Sequence, residues 1–428
     1  IMTFLKAFIS FIILLYYGET KKVGKAPINP HPNSFDVIFE NKYGSKVHLY
    51  WDDGKDGVLQ HEIEHNSKTT INTFETHKFY FTPHNDPKKR LHEVTMKKYI
   101  GMVELLDDHK RNNLNDTYLK EKEQFLKEYY QKNGVRWGNH WPREPVRYHY
   151  YNITHIGQEI NVETNYSQFM ICDPNDAQYN EIYSKNYELI LNDFEWQRNE
   201  CSNADDCNEN HHKRVKHYTY FDENNNIEWL WQNNTIYCRD VSKPMTVKLQ
   251  VTCVKPKTIR LFNFLSSDEC DAIINTGIKI GLKRSTVGSD AQKTVDRTSS
   301  TVWLLREHNL IIDHVIRRIA DIVKINESHL FSNASAEELQ LVHYFENELY
   351  KPHVDWEPGQ NNRYITFLMY LNSPGSGGET SFPLADKSCK NEDNWFGVTP
   401  IKGSAVFFYD LFPDGNTDPL TQHYAEPP

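Results

Sequence analysis

Residues 340–358 read QLVHYFENELYKPHVDWEP and place His353 two positions before Asp355. In an extended strand, side chains two positions apart leave the same face, so an imidazole and a carboxylate stand side by side. Such a pair can fill two adjacent positions around one divalent ion. A second imidazole from elsewhere in the chain completes a facial set of two His and one carboxylate, which leaves further metal positions open. The stretch therefore predicts one side of a metal centre.

The His-x-Asp pattern by itself is weak evidence for a metal site. The chain contains 20 His, and the same pattern recurs at His84 and Asp86, where Pro83 and Pro87 flank it. A polar tripeptide between two prolines is typical of a solvated turn. The metal assignment at His353 therefore depends on the sequence that follows it.

The sequence beyond the pair indicates short buried strands separated by turns. Residues 363–371 (RYITFLMYL) are an apolar run suited to a strand buried on both faces, and residues 375–383 form a glycine-rich turn with a polar exit. Residues 404–411 predict a further strand, and a polar turn then leads to His423. Short strands joined by turns are typical of a β-sandwich or jelly roll, a fold that can return this imidazole to the first pair.

Five motifs follow one another here: H-x-D, R-x-x-T-x-L-x-Y-L, G-G-E-T-x-F-P, P-x-K-G-x-A and D-P-x-x-x-H. In this order and spacing, residues 256–428 resemble the 2-oxoglutarate- and Fe(II)-dependent prolyl 4-hydroxylases. The resemblance implies a C-terminal double-stranded β-helix, or jelly roll. It implies these site residues: His353, Asp355 and His423 as iron ligands, Tyr344 and Thr380 in the 2-oxoglutarate pocket, and Tyr350 and Arg363 as catalytic residues at the substrate.

The resemblance also implies the chemistry. Members of this family are procollagen-proline 4-dioxygenase-like enzymes that hydroxylate peptidyl proline with Fe(II), O₂ and 2-oxoglutarate as cosubstrate, and that use L-ascorbate. The implied partner is a proline-rich or collagen-like peptide, whose preformed polyproline II shape presents its rings at small ordering cost. Two alternatives stay open: another 2-oxoglutarate oxygenase acting on a different side chain or a small molecule, and a catalytically silent module that binds hydroxyproline.

The chain departs from the family at its C-terminal end. Prolyl 4-hydroxylases carry a basic residue, usually Lys, shortly after the distal His, where it pairs with the far carboxylate of 2-oxoglutarate. Here Glu426, Pro427 and Pro428 end the sequence first, and the closing strand is missing too. We therefore expect a C-terminally incomplete domain that holds iron but binds its cosubstrate weakly, so that this fragment is inactive.

The N-terminal residues alternate apolar and polar side chains, as half-buried strands do. The segments VIFENKYGSKVHLYWDDG (37–54) and INTFETHKFYF (71–81) resemble the β domain of the von Hippel–Lindau tumour suppressor, which recognises hydroxyproline. Residues 33–85 are therefore expected to form a small β-sandwich. The positions that match its hydroxyproline pocket are Trp51, Thr73, His77 and Phe79, the last replacing a Trp. The alternative is that these side chains only pack the sandwich.

Residues 86–255 are interpreted as a mixed helical and β connecting region. Helices are predicted from their Lys- and Glu-rich periodicity at 91–106, 118–130 and 179–194. The run HHKRVKH at 211–217 favours a solvated basic face over a metal or anion site. Residues 218–253 contain strand-like runs, which predict an extra hairpin feeding the C-terminal domain.

Two amphipathic helices are expected at the start of the C-terminal domain. Ser266 followed by Glu269 is a capping box, in which each residue bonds the backbone amide of the other, and an apolar stripe follows it. Residues 310–323 repeat the apolar stripe. Both stripes favour packing against the jelly roll over contact with a cofactor.

Seven Cys occur in the chain, and none forms a C-x-x-C pair, which disfavours a zinc ribbon or a thioredoxin-like site. In an oxidising compartment, proximity in sequence favours bridges between Cys201 and Cys207 and between Cys238 and Cys253. Cys270 lies on the apolar face of the first helix and is expected to be a buried thiol.

The first residues predict a route through the secretory pathway. Residues 4–17 are apolar apart from one Lys and one Ser, too short for a comfortable bilayer span, which favours a signal peptide within residues 1–20 over a signal anchor. The expected location is the lumen of the endoplasmic reticulum, with membrane contact only if the segment is retained. Six glycosylation sequons support this weakly, at Asn115, Asn152, Asn165, Asn233, Asn326 and Asn333.

Size and charge bound the remaining possibilities. A chain of 428 residues is expected to form two or three domains with a sizeable core. A net charge of −10 argues against a nucleic-acid-binding protein. The predicted fold class is mostly β with flanking helices: a C-terminal jelly roll, a small N-terminal β-sandwich and a mixed helical region between them.

Overall fold

The computed structural model describes residues 8–17, 33–112, 114, 116–141, 148–172, 217–221, 226–232, 235–286, 296–331, 334–356 and 363–428. Strands dominate these residues and helices flank them, which confirms the predicted fold class. The first strand is β1 (Phe8–Tyr17), and the rest of the fold follows it in chain order.

An N-terminal β-sandwich is built from seven strands. Their bounds are β2 (Phe35–Lys42), β3 (Val47–Trp51), β4 (Val58–Ile63), β5 (Lys68–Thr73), β6 (Lys78–Pro83), β7 (His92–Thr95) and β8 (Met102–Leu106). One sheet has the order β5-β2-β8 and the other β4-β3-β6-β7. Side chains from both sheets, among them Phe39 and Phe81, are fully buried in one core between them.

The predicted helix at 91–106 is wrong, and the predicted sandwich boundary at residue 85 is too early. Residues 92–95 pair with β6, and residues 102–106 pair in parallel with β2, so that each strand continues a sheet whose edge was open. Met102, Val103 and Leu105 are buried in these positions. Long-range pairing has therefore overridden the local helical pattern.

The described residues of the middle region include two helices, α1 (Asp108–Asn112) and α2 (Asp116–Asn133), and α2 confirms the helix predicted at 118–130. Its strands are β9 (Glu159–Thr164), β10 (Met170–Ile171), β11 (His217–Phe221), β12 (Ile227–Gln232) and β13 (Thr235–Asp240). The last four form one sheet in the order β10-β13-β12-β11. The predicted helix at 179–194, Cys201, Cys207 and most of the basic run at 211–217 lie outside the described residues.

The C-terminal domain contains eleven further described strands and two further described helices. The strands are β14 (Met245–Cys253), β15 (Thr258–Leu261), β16 (Lys283–Arg284), β17 (Ser300–Leu304), β18 (Ala336–Phe345), β19 (Tyr350–His353), β20 (Arg363–Tyr370), β21 (Thr380–Ser381), β22 (Gly397–Val398), β23 (Ala405–Tyr409) and β24 (His423–Ala425). The helices are α3 (Ser267–Ile280) and α4 (Leu310–Val323).

Two of its sheets face each other, as a jelly roll requires. The larger has nine strands in the order β16-β17-β18-β1-β20-β23-β15-β14-β9, and the smaller has the order β19-β24-β21-β22. Tyr344 and Tyr370 of the larger sheet share one buried core with Val398 and Ala425 of the smaller sheet. Because β9 and β14 belong to the larger sheet, the predicted domain start at residue 256 is too late. Of the extra strands predicted within residues 218–253, β14 extends the larger sheet, whereas β11, β12 and β13 belong to a separate sheet.

The two helices confirm their sequence signals. The Ser266 hydroxyl accepts from the Glu269 amide at 3.0 Å, and the Glu269 carboxylate accepts from the Ser266 amide at 3.0 Å. The same carboxylate lies 2.7 Å from Arg318 of α4, and both side chains are fully buried. This ion pair ties the two helices together across the back of the larger sheet.

The apolar N-terminal segment lies inside the larger sheet as β1. It runs parallel to β18 on one side and to β20 on the other, with Ile13 opposite Leu341 and Met369. The segment therefore takes a central strand position in the larger sheet of the C-terminal domain. None of the helices in the described part of the chain combines the length and apolar character needed to cross a bilayer.

Two disulfides connect Cys172 with Cys238 and Cys253 with Cys389. The predicted Cys238–Cys253 bridge is therefore wrong. Cys238 on β13 lies opposite Met170 of β10, which brings it beside Cys172, whereas Cys253 ends β14 in another sheet. Cys270 is a buried free thiol, as predicted, and burial raises the pKa of its thiol to about 12.

Candidate active site

The structure brings His353, Asp355 and His423 together at one end of the smaller sheet. Strands β19 and β24 are antiparallel, and their register sets His353 opposite His423. Asp355 follows two residues after His353. Its two oxygens lie 3.8 Å from Nε2 of His353 and 3.9 Å from Nε2 of His423. Ligand atoms of the three side chains lie within 4.8 Å of one another, as close as a single metal ion requires.

Backbone carbonyls fix the orientation of both imidazoles. Nδ1 of His353 lies 2.8 Å from the Lys351 carbonyl, and Nδ1 of His423 lies 3.0 Å from the Thr421 carbonyl. Because a carbonyl only accepts, each Nδ1 carries the proton and donates it. Each Nε2 is left with its lone pair on the side of Asp355, the arrangement that metal-binding His residues normally show.

The electrostatics of the cluster keep all three groups in the metal-binding protonation state. Burial, followed by the nearby His423, lowers the pKa of His353 to about 3, and burial also lowers the pKa of His423. Burial opposes ionisation of Asp355, but Arg363 and then the two imidazoles outweigh it and lower the pKa of the carboxyl group. Two neutral imidazoles and one carboxylate are the donor set that a divalent iron ion takes.

A hydroxyl group behind the cluster joins two carboxyl groups. The Thr366 hydroxyl lies 2.7 Å from Oδ2 of Asp355 and 2.8 Å from Oδ2 of Asp410. Burial, and then the charge of Asp355, raises the pKa of Asp410 well above its usual value. A protonated Asp410 donates to Thr366, and Thr366 in turn donates to Asp355. Sequence reasoning missed both supports: Thr366 stood within a quoted motif, whereas Asp410 carried no signal.

The other residues implied by the resemblance line the same cavity. Tyr344, Tyr350, Arg363 and Thr380 all contribute to its wall together with the three candidate ligands. The Tyr350 ring stacks on the His353 ring, with 3.6 Å between centroids and 21° between planes. Thr380 accepts a hydrogen bond from the Tyr370 hydroxyl at 2.9 Å. Arg363 reaches Asp355 at 2.6 Å and Glu337 at 2.9 Å, so it borders the candidate metal site directly.

Arg297 is a further basic group of this cavity. Its guanidinium carbon lies 4.8 Å from the centre of the Tyr350 ring, and one Nη donates to Gln340 at 3.3 Å. Its Nε is buried and finds no hydrogen-bond partner among the residues that the structure describes. A buried, unsatisfied cationic donor fits a cavity that takes an anionic ligand such as a dicarboxylate.

The four residues matched to a hydroxyproline pocket are only partly brought together. The Thr73 hydroxyl lies 3.1 Å from Nδ1 of His77, and the rings of Trp51 and His77 have centroids 5.4 Å apart. Phe79 is 2% exposed and packs on Phe39 in the core of the sandwich. Trp51 and His77 are partly exposed and His77 contacts the buried Thr73, whereas Phe79 belongs to the core of the sandwich.

Two other clusters of possible ligands in the described residues are explained by ion pairs. In the first, Lys46 binds Glu62 at 2.6 Å, while His48 and His84 share a hydrogen bond of 2.7 Å.

In the second, Lys42 and Lys68 lie 3.0 and 3.4 Å from Glu40. Lys122 lies 2.9 Å from Glu104, and His140 bridges the two carboxylates. The cluster around Asp355 is the best candidate for a metal among these, because both of its imidazoles keep an unprotonated Nε2 on the side of the carboxylate.

Comparison with known proteins points in the same direction. Residues 339–428 match the family model of the 2OG-Fe(II) oxygenase superfamily. The chain is 32% identical over 194 residues to the probable prolyl 4-hydroxylase 3 of Arabidopsis thaliana, and 32% identical over 187 residues to the human prolyl 4-hydroxylase subunit alpha-1. Among solved structures it resembles a viral collagen prolyl hydroxylase from Paramecium Bursaria Chlorella virus-1, with 25% identity and a TM-score of 0.31.

The matched segments have limited extents. The Arabidopsis alignment covers 41% of this chain and 65% of that relative, and the human alignment covers 40% of this chain and 32% of that relative. The match to the viral enzyme covers 40% of this chain and 87% of the viral one. The family model places its match at residues 339–428, within the C-terminal domain.

Proposed function

We propose that the chain is a peptidyl-proline 4-hydroxylase that uses Fe(II), O₂ and 2-oxoglutarate, because residues 339–428 match the family model of the 2OG-Fe(II) oxygenase superfamily and relatives of the chain are prolyl 4-hydroxylases. One observation carries the proposal: the side chains of His353, Asp355 and His423 bring two neutral imidazoles and a carboxylate close enough together to bind one metal ion. When bound, iron and 2-oxoglutarate would supply the oxidising chemistry through decarboxylation of the cosubstrate to succinate.

In this function, the protein's own residues would bind and orient the metal and the cosubstrate and shield them from solvent. The backbone bonds of His353 and His423 hold each Nε2 towards the metal position, and Thr366 holds Asp355. Tyr344, Thr380 and the unsatisfied Nε of Arg297 would hold the cosubstrate. L-ascorbate would keep the metal ferrous, as the resemblance implies.

The proposed substrate is a proline-rich or collagen-like peptide. The stacked Tyr350 and His353 rings form a flat aromatic wall beside the candidate metal site, and Arg363 and Arg297 flank it. Aromatic walls take the rings of a polyproline II segment at low entropic cost, which supports a peptide over a small molecule.

A second function is proposed for the N-terminal sandwich, namely recognition of hydroxyproline. The contact between Thr73 and His77 favours this function, because these side chains offer polar groups to the hydroxyl of hydroxyproline. The Trp51 ring next to them offers an aromatic face to the proline ring. Titration of matched proline and hydroxyproline peptides against the full chain tests this function. Tighter binding of the hydroxylated peptide, lost in His77→Ala, is expected; equal affinity for both peptides would end the idea.

A location in the secretory pathway is also proposed. The two disulfides need an oxidising compartment, which supports it. The segment predicted to be a signal peptide also forms β1. Cleavage within residues 18–20 would therefore remove a strand from the larger sheet. N-terminal sequencing of the exported protein decides whether the segment is retained.

Peptide hydroxylation tests the main proposal. Because the chain is expected to bind its cosubstrate weakly, and to be inactive at ordinary 2-oxoglutarate concentrations, the assay uses 2-oxoglutarate at high concentration. Under these conditions the purified chain with Fe(II) and ascorbate is expected to add one oxygen atom to a proline-rich peptide and to release succinate in equal amount. A peptide with Ala in place of the target Pro and the Asp355→Ala variant serve as controls. Succinate release with every peptide left unmodified would instead indicate an oxygenase with another substrate. Absence of both metal binding and succinate would indicate a silent binding module.

A further inference from the structure

The loop between β23 and β24 carries the chain from the larger sheet to His423. It folds back on itself: Leu411 bridges Thr417, and the Phe412 amide donates to the Asn416 carbonyl at 2.8 Å. The loop is therefore a defined turn, and Asn416 stands near its tip.

The Asn416 side chain is fully buried although it stands on this turn. Its partners all come from the region that follows the N-terminal sandwich. Its Nδ2 donates to the Arg136 carbonyl at 2.8 Å and to the Tyr129 hydroxyl at 3.3 Å. Its Oδ1 accepts from the Gly138 amide at 2.9 Å and from Nδ2 of Asn139 at 3.2 Å. Both donors and both lone pairs of the amide are thus used, which fixes the side chain in one orientation.

The partners of Asn416 belong to a packed unit, here called the brace, which consists of α2 and residues 134–141. Leu126 and Tyr129 of α2 pack on Val135 and Trp137, and Phe412 of the loop rests against this cluster. The brace is also tied to the sandwich. Trp137 bridges Ile100, and Lys122 binds Glu104 at 2.9 Å.

A short series of bonds runs from Asn416 to the distal candidate ligand. The Asp418 amide donates to the Asp410 carbonyl at 2.9 Å, and the Thr421 hydroxyl donates to the Asp418 carbonyl at 2.6 Å. The carbonyl of Thr421 then accepts from Nδ1 of His423. A shift of the turn therefore changes the acceptor that orients this imidazole.

We propose that Asn416 is a positioning residue for His423, and that the brace sets the geometry of the candidate metal site from outside the jelly roll. The inference rests on the proposed function, because it assigns a task to the middle region within the same site. It gives that region, which lies outside the residues 339–428 that match the family model, a structural reason to be attached to an oxygenase domain.

Metal affinity in the full chain tests the proposal, with Co²⁺ as a spectroscopic stand-in for Fe(II). Asn416→Ala is expected to weaken Co²⁺ binding by about tenfold or more, the range for loss of groups that orient a ligand. Asn41→Ala is the matched control. Asn41 is also fully buried and its Nδ2 also donates to two carbonyls, those of Ser45 and Ile63, but it lies in the sandwich away from the metal site.

The outcomes separate the two proposals. If the wild-type chain does not bind Co²⁺, or if Asp355→Ala binds it equally well, the proposed function fails. If the wild type binds Co²⁺ and Asn416→Ala binds it equally well, the positioning role fails. An equal loss in Asn416→Ala and Asn41→Ala would show a general effect of destabilisation and would also overturn the role. Melting temperatures of both variants are measured alongside, because a role in stability alone predicts lower melting with unchanged affinity.

Discussion

Nη1 of Arg363 lies 2.6 Å from Oδ1 of Asp355, so a guanidinium group neutralises the candidate carboxylate ligand inside the protein. Removing one partner of such a buried pair leaves an uncompensated charge, which typically costs about 3 kcal/mol or more. Arg363→Leu should therefore lower the free energy of unfolding of the metal-free chain by about that amount. Because a divalent ion can replace the lost positive charge, added Co²⁺ should stabilise this variant more than it stabilises the wild type.

Urea denaturation with and without Co²⁺ measures both effects. Arg284→Leu is the control, since Arg284 pairs with Glu348 at 3.3 Å in a more exposed position, where a pair is worth less than about 1 kcal/mol. Equal stabilisation of all three proteins by Co²⁺ would show that Arg363 and the metal do not share the carboxylate.

Two His-x-Asp patterns with different surroundings provide an internal comparison. Asp355 is 4% exposed and faces both imidazoles, whereas Asp86 lies in the exposed turn after Pro83. Asp355→Ala should abolish Co²⁺ binding at the cluster and peptide hydroxylation with it, because one of three protein ligands is lost. Asp86→Ala should leave both unchanged. Retention of metal binding in Asp355→Ala would show that the cluster is misassigned.

Local signals in the sequence predicted the parts of the fold that local physics determines. The Ser266–Glu269 capping box and the apolar stripe of residues 310–323 depend on contacts within a few positions, and both helices form as predicted. The spacing of His353 and Asp355 is local in the same sense. His423 could be added only through an ordered set of motifs, since its approach depends on the pairing of β19 with β24.

Features that depend on distant pairing could not be predicted in this way. The bridge from Asp410 to Asp355 through Thr366 depends on the register of β20 against β23, which no local pattern encodes. Cysteines near in sequence were equally misleading, because Cys238 meets Cys172 across a separation of 66 residues. The segment 91–106 has a helical pattern but forms two strands, because each strand pairs with an open sheet edge through backbone hydrogen bonds.

The position of β1 leads to a prediction about the segment that the sequence predicts to be a signal peptide. Ile13 lies opposite Leu341 on one side and Met369 on the other, so its amide belongs to a central strand. Proline cannot donate to a strand ladder and is found essentially only at edges or bulges. Ile13→Pro should therefore lower the stability of chain produced without export, and should speed hydrogen exchange of the amides in β18 and β20. Lys88→Pro, in an exposed turn of the sandwich, is the control. Unchanged exchange in β18 and β20 would mean that the segment is not part of the folded sheet.

Asp418 gives the chain a pH dependence of stability with a definite sign. The carboxyl group is buried and caps the one-turn helix Pro419–Thr421 by accepting from the Leu420 amide at 2.9 Å. Burial raises its pKa to about 7, although the amide bond opposes this. The folded state thus binds this proton more tightly than the unfolded state does. Its stabilising contribution is complete below the unfolded pKa and is lost as the pH rises through about 7.

Asp418→Asn keeps the acceptor for Leu420 and removes the ionisation. The variant should therefore gain stability over the wild type between pH 5 and pH 8, by a few kcal/mol at the upper end, since each unit of pKa shift is worth about 1.4 kcal/mol. Asp386 is the matched control, because it caps the one-turn helix Lys387–Cys389 in an exposed position, where the Ser388 amide lowers its pKa. Asp386→Asn should show the opposite sign, with stability lost above the unfolded pKa of the carboxyl group. Urea denaturation at both pH values measures the difference, and parallel curves for wild type and Asp418→Asn would show that Asp418 is ionised in the folded chain at pH 5.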